Sequence, residues 1–166
     1  MGGAFRVERA SPDDIGALMA IERLPGYDAL VGRWDRDRHF AEMASPSNLY
    51  FALRDNEGLA GFAIVLGLDD PDHRAHLKRI AVAAPGRGAG AALLGGLVDR
   101  VFAETKTNRL DLDVFTENER AKRAYEKAGF TAEGLLREHH RTPAGYRDVW
   151  LMSILRREWR AARGGS

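Results

Sequence analysis

Cysteine is absent from the chain. Disulfides, thiolate metal sites and any route through an acyl-cysteine are excluded with it. Net charge is nearly absent too, since 25 Lys and Arg stand against 24 Asp and Glu, a balance of +1. No long-range field draws the protein to nucleic acid or to an acidic membrane surface, so neither is expected as a partner. Any phosphate binding has to be local. No apolar run approaches the roughly 18 to 20 residues needed to span a bilayer. Met1-Gly2-Gly3-Ala4-Phe5-Arg6 has no signal-peptide core and no Ser or Thr at position six to complete a myristoylation signal. A cytoplasmic protein is expected. At 166 residues the chain fits one domain with a substantial core.

What is present is a regular alternation of strand-like and helix-like segments. Phe5 to Glu8 reads as a short strand. Ser11-Pro12-Asp13-Asp14 then starts a helix, with a cap, a proline suited to the first turn and acids at its positive end. Leu24-Pro25-Gly26 stops it, and a weaker helix spans about Asp35 to Ala44. Leu49 to Arg54 and Leu59 to Leu66 are β-type runs joined by Asp55-Asn56-Glu57-Gly58, which predicts an antiparallel hairpin. Ala75 to Ala83 is a further strand, Gly88 to about Glu104 an amphipathic helix, and Arg109 to Phe115 an alternating strand. Thr116-Glu117-Asn118-Glu119 has the form of a capping box, which would start a helix at about Glu117. Gly129 ends that helix, with Phe130 placed to fold back on its last turn. Strands at about Thr131 to His140 and Tyr146 to Leu155 flank a turn at Thr142-Pro143-Ala144-Gly145. Arg156 to Ser166 reads as a charged, partly frayed tail. The order predicts an α/β fold with a mixed, mostly antiparallel sheet, one central parallel β-α-β crossover and flanking helices.

The crossover opens on Pro85-Gly86-Arg87-Gly88-Ala89-Gly90-Ala91. Glycines there let a ligand approach the backbone, and the free N–H groups of a helix start favour a phosphate. Gly86-x-Gly88-x-x-Ala91 formally matches the dinucleotide fingerprint, with Asp111 or Asp113 following at about the distance of a ribose-binding acid. A nicotinamide fold needs further βαβ units, however, and an antiparallel hairpin precedes this loop. A nucleotide-hydrolysing loop would need Gly-Lys-Ser or Gly-Lys-Thr, and Gly90-Ala91-Ala92 supplies neither Lys nor hydroxyl. The remaining reading of the loop alone is tight strand-to-helix packing.

A second element lies downstream, Asn118-x-x-Ala121-x-x-x-Tyr125-x-x-x-Gly129-Phe130. Nearly two helical turns separate Asn118 from Tyr125, so both lie on one stripe. Loop and helix together resemble the GNAT superfamily of acyl-CoA-dependent N-acyltransferases, and the ending Asp148-Val149-Trp150-Leu151-Met152-Ser153 is similar to that of many bacterial members. The resemblance runs from about Leu49 to Leu155. It implies one N-acetyltransferase domain over 1–166, with its core at about 5–155, and acetyl-CoA as cosubstrate. It further implies that backbone N–H groups of Arg87, Gly88, Ala89, Gly90 and Ala91 hold the pyrophosphate. Ile80, Ala81 and Val82 would pair with the pantetheine arm like a strand, Asn118 would contact the same arm, and Tyr125 would donate a proton to the leaving thiolate. Pro85 departs from the family's Gln or Arg at that position and cannot donate a hydrogen bond. Arg87 is expected to supply the missing positive charge.

The acceptor amine must lose a proton before it attacks. A lysine near pKa 10.4 needs more than about 4 kcal/mol for that at neutral pH, an α-amino group near 8 only about 1 kcal/mol. His76, placed by strand alternation on the face of Ile80 and Val82, is the expected base, alongside a catalytic glutamate position of some family members. Glu22 is the runner-up, otherwise a solvated charge. His139-His140 suggests a metal, but strand neighbours point to opposite faces and no third ligand is evident, so no metal is expected. The segments 23–40 and 139–146 should set selectivity, with Arg33, Arg36, Arg38, Arg137 and Arg141 available to a carboxylate. The resulting expectation is acetyl transfer to a small-molecule amine or a peptide N-terminus, with a homodimer in keeping with the family. Two alternatives stay open, a catalytically silent acyl-CoA-binding module and a nicotinamide-dependent oxidoreductase.

Overall fold

The computed structural model describes residues 4–25, 27 and 33–164. Strand β1 (Arg6–Arg9) leads through a short 3-10 turn at Pro12–Asp14 into helices α1 (Ile15–Glu22) and α2 (Arg36–Ala44). The antiparallel strands β2 (Leu49–Asp55) and β3 (Gly58–Leu66) are followed by β4 (Arg74–Val82), α3 (Ala89–Glu104) and β5 (Arg109–Phe115). Helix α4 (Glu119–Lys127), the hairpin β6 (Thr131–Thr142) and β7 (Gly145–Leu155), and α5 (Arg156–Ala162) complete the chain. Among the described residues seven strands form one sheet in the order β1-β2-β3-β4-β5-β7-β6, in which only β4 and β5 run parallel. The expected mixed α/β architecture is therefore the one observed.

The sheet separates two cores. On one face the apolar stripe of α3 (Leu93, Leu94, Leu97, Val98, Val101, Phe102) meets alternate residues of the central strands, with Tyr125 and Ala121 of α4 and Trp159 of α5 at its margin. Gly96 lets α3 pass directly over β1, because a Cβ there would lie 2.4 Å from Val7 Cγ2. On the other face Leu18 and Ile21 of α1 pack on Tyr50, Phe62, Ile64 and Ala81. Beneath α1 and α2 lies a buried polar cluster. Glu22 faces His39 Nε2 at 3.1 Å and Arg79 at 3.4 Å, while His39 Nδ1 lies 2.9 Å from the Tyr50 hydroxyl. Burial pushes the Tyr50 phenol up and lowers the Arg79 guanidinium. Trp34 covers the latter at 4.1 Å.

Three local expectations are corrected. The capping box at Thr116 does not form; Asn118 is the cap, its Oδ1 accepting from the Ala121 N–H at 3.2 Å, and the helix starts two residues later. Residues 156–162 are not a frayed tail. They form α5, held because the Arg156 guanidinium donates to the carbonyls of Phe102, Thr105 and Thr107 at 2.7, 2.8 and 3.0 Å, while Trp159 donates to Asp99 at 2.9 Å. Those carbonyls close the C-terminal end of α3, where a cation is favoured. Glu22 is not a solvated charge but fully buried and paired, which removes it as a base for an incoming amine.

Candidate functional site

The site begins where the sheet stops being a sheet. The parallel ladder pairs Arg74–His76 with Arg109–Asp111 and ends there, although β4 continues to Val82 and β5 to Phe115. A β-bulge turns β4 away, for Ile64 lies opposite Arg79 and Val65 opposite Leu77, so Lys78 is an extra residue. Beyond the bulge, pairing with β3 alternates. Ala83 donates to the Ala60 carbonyl at 2.8 Å, so the Gly61–Val82 pair, one step along, is not hydrogen-bonded and Val82 presents its N–H and C=O away from β3. By the same alternation Ile80 does so too, whereas Ala81 is bonded to β3. Two of the three strand residues expected to pair with a ligand thus offer an open edge.

At Val82 that edge is met by a side chain that the sequence did not reveal. The Tyr27 hydroxyl accepts from the Val82 N–H at 2.9 Å and donates to the Val82 carbonyl at 2.6 Å. Tyr27 belongs to the segment between α1 and α2, of which 26 and 28–32 lie outside the described residues. No spacing or motif marks a tyrosine 55 residues away as a partner of a strand edge.

The glycine loop follows β4 directly. Gly86 and Gly88 have φ of 85° and 78°, which side-chain-bearing residues rarely adopt, and Gly88 caps α3 without any side-chain partner for the first N–H groups. Gly90 is different. It is helical and exposed, and a Cβ there would meet nothing within 4 Å, so no contact inside the protein requires a glycine at this position. Arg87 is exposed, makes no ion pair among the described residues, and lines a cavity of about 240 Å³ with Phe5, Asp55, Glu57 and Ala89.

Asn118 and Tyr125 reach the site from α4. Because Asn118 Oδ1 is committed to the cap, its amide nitrogen is the atom left for a ligand carbonyl. Tyr125 is half-buried against Phe130, whose N–H bonds back to the Tyr125 carbonyl at 3.0 Å after Gly129 (φ 105°). Burial, and then the nearby Asp113 carboxylate, push its phenol above its ordinary pKa. The group stays protonated at neutral pH, as a proton donor must.

His76 is placed otherwise than alternation predicted. The extra residue at Lys78 reverses the parity, so His76, opposite Leu66, lies on the α1 and α2 face, while Ile80 and Val82, opposite Ala63 and Gly61, lie on the α3 face. It sits at the last rung before the strands part, with Nδ1 at 2.6 Å from Asp111 Oδ1 and about two-fifths of its side chain exposed. An imidazole held by a carboxylate through one nitrogen keeps the other available to a proton. His139 and His140 are corrected as well: both Nε2 atoms approach Asp113, at 3.6 and 3.1 Å. Of the arginines named for selectivity, Arg38 pairs with Glu42 at 2.8 Å and lies over Trp34, and Arg36 lies over Phe40, while Arg137 and Arg141 are exposed.

Comparison with known proteins gives this arrangement a family context. The model of the Acetyltransferase (GNAT) family matches residues 17–130. The N-alpha-acetyltransferase RimI of Mycobacterium tuberculosis is 36% identical over 103 residues, 60% of this chain and 63% of the relative. The ribosomal-protein-S18-alanine N-acetyltransferase of Escherichia coli superposes with a TM-score of 0.76 at 27% identity, covering 92% of this chain and 94% of that one. Spermidine N-acetyltransferase from Vibrio cholerae, solved with CoA and spermine, shares the fold with a TM-score of 0.82 at 20% identity over 93% and 97% of the two chains. The chain spans less than two thirds of the first curated relatives it matches, 63% of RimI and 32% of a Mycobacterium leprae protein.

Proposed function

The chain belongs to the GNAT acetyltransferase family, and from that premise we propose that it moves an acetyl group from acetyl-CoA to a primary amine by direct attack in a ternary complex. The observation that carries this reading is the parting of β4 from β5 beside the glycine loop. An open strand edge suits the two amides of a pantetheine arm, and it leads to a helix start whose N–H groups suit a pyrophosphate. In this reading the N–H groups from Arg87 to Ala91 hold the pyrophosphate with help from the Arg87 guanidinium. The polar atoms of Ile80 and Val82 take the arm, with Ala81 between them serving the sheet. The Asn118 amide nitrogen donates to an arm carbonyl.

The amine nitrogen attacks the thioester carbon, giving a proton to His76 oriented by Asp111; the carbon–sulfur bond then breaks and Tyr125 protonates the departing sulfur. His76 and α4 lie on opposite faces of the sheet, so amine and leaving group are served from opposite sides of the thioester. This route needs no metal. The acceptor favoured is an α-amino group at a peptide N-terminus, a reading supported by the likeness to RimI and by the smaller deprotonation cost. A small-molecule amine is the second choice, and a cytoplasmic site of action fits either.

Thiol release from acetyl-CoA with a panel of peptides, amino acids and polyamines tests the proposal. Turnover with a peptide N-terminus is expected, and blocking that terminus should abolish it. Thermal shifts with acetyl-CoA, CoA and NAD separate the alternatives, because a ligand of the folded state raises Tm by mass action. Stabilisation by acetyl-CoA without turnover on any amine would leave a silent binding module. Stabilisation by NAD and not by CoA would indicate an oxidoreductase.

A further inference from the structure

Adjacent residues on a regular strand point to opposite faces, yet His139 and His140 aim at one carboxylate. The cause is a large bulge in β6: Leu136 lies opposite Val149 and His140 opposite Arg147, so four steps on β6 are matched by two on β7. Glu138 takes φ 49° in the bulge, and its N–H is held by Asp148 Oδ1 at 2.7 Å. The two imidazoles stand edge to face with ring centroids 4.9 Å apart. Asp113 reaches them from β5, with Oδ2 at 3.6 Å from His139 Nε2 and Oδ1 at 3.1 Å from His140 Nε2, and one ligand atom from each residue fits within 4.8 Å of the others.

The geometry points to a divalent transition-metal site at Asp113, His139 and His140. Zinc takes nitrogen and carboxylate oxygen at about 2.0 to 2.2 Å, which in a tetrahedron separates the ligand atoms by roughly 3.3 Å. The observed 3.1 and 3.6 Å, which run to different oxygens of the one carboxylate, lie on either side of that value. Two imidazoles, one carboxylate and no thiolate suit Zn²⁺, Co²⁺ or Ni²⁺ and not Mg²⁺ or Ca²⁺. His139 and His140 are each about two-fifths exposed, so a metal can enter and keep water as a further ligand. The neighbouring Arg147, stacked on Phe115 at 3.8 Å, would repel a cation, but Glu117 pairs with it at 2.9 Å. Because Asp113 also acts on the Tyr125 phenol, a bound metal would change the charge beside the proposed proton donor.

The test is direct titration of the full, tag-free, chelator-treated chain with Co²⁺, read by visible ligand-field absorption, and with Zn²⁺ against a chromophoric chelator. One equivalent should bind. His139→Gln and His140→Gln should each weaken binding at least tenfold, since even outer partners of a metal are worth 10- to 100-fold, while His73→Asn should leave it unchanged. Absence of binding at 1 mM metal, or equal affinity in the His139 and His140 variants, overturns the site. If either variant fails to fold, the imidazole proton resonances of the wild-type chain decide. Among five histidines, Zn²⁺ should move two. Shifts at His76 instead, or at none, overturn it as well.

Discussion

At the scale of the residue, the two groups that tell most about the site are a tyrosine and a glycine. Burial, and then Asp113, raise the Tyr125 phenol further above neutral pH, and on the proposed reading replacing it removes the proton donor without removing the fold. Tyr125→Phe should lower kcat by about 100-fold or more while the KM for acetyl-CoA changes little, measured by thiol release. A tyrosine serving only as core would show no such split. At Gly90 a side chain has open space in the protein, and glycine is a poor helix former. Gly90→Val should therefore leave Tm unchanged or higher and yet weaken CoA at least tenfold by calorimetry, because the new methyls would occupy the ligand's approach to the N–H groups. Both positions stand out in the sequence, one in the glycine run that opens a helix and the other in phase with Asn118. What was not legible is the backbone that aims them. Lys78 carries no mark of being an extra residue in β4, and so the face assigned to His76 by counting alternate positions was wrong. The same holds for Glu138, whose left-handed conformation brings His139 and His140 to one side.

Elements depend on contacts that sequence patterns anticipate in kind but not in partner. The hairpin at Asp55 to Gly58, the helix opening at Gly88 and the helix end at Gly129 all follow from turn and cap chemistry that resides in neighbouring residues. The ties that hold elements to each other come from far along the chain. Arg54 of β2 donates to both Asp14 oxygens at 2.9 and 2.8 Å and also to Glu8, joining β1, β2 and the entry to α1. That contact holds the Asp14 carboxyl below its ordinary 3.8. A carboxyl with a lowered folded pKa stabilises fully above its unfolded value, and the contribution is lost as pH falls through the folded value. The stability gap between wild type and Arg54→Met should therefore be constant above about pH 5 and narrow steadily toward pH 3 in urea titrations. Arg156 is the parallel case for α3 and α5. Arg156→Ala leaves three carbonyls without their charged donor and should cost about 2 kcal/mol in urea unfolding. Nothing in a run of arginines near the end of a chain distinguishes the one that closes a helix 50 residues upstream.

At the scale of the molecule, the sheet is a frame with one deliberate opening. Its mixed, mostly antiparallel character and the parallel crossover were readable from the alternation of segments; the placing of β7 between β5 and β6, and the length over which the parallel pair stays joined, were not. One bond across the opening bears on how the protein meets its ligands. While the Tyr27 hydroxyl holds both polar atoms of Val82, the strand edge is spoken for, and on the proposed reading only the fraction of molecules with Tyr27 displaced could accept a pantetheine arm there. Apparent affinity is the intrinsic value diminished by that fraction. Two hydrogen bonds of ordinary net worth, about 1 kcal/mol each, set the scale, so Tyr27→Phe should tighten CoA by up to about thirtyfold in calorimetry. The released tyrosine lies in the segment expected to choose the acceptor. If the coenzyme displaces Tyr27, its arrival would also open the amine's place, and the outcome expected in initial-rate kinetics is ordered addition, coenzyme first, with that order lost in the Phe variant.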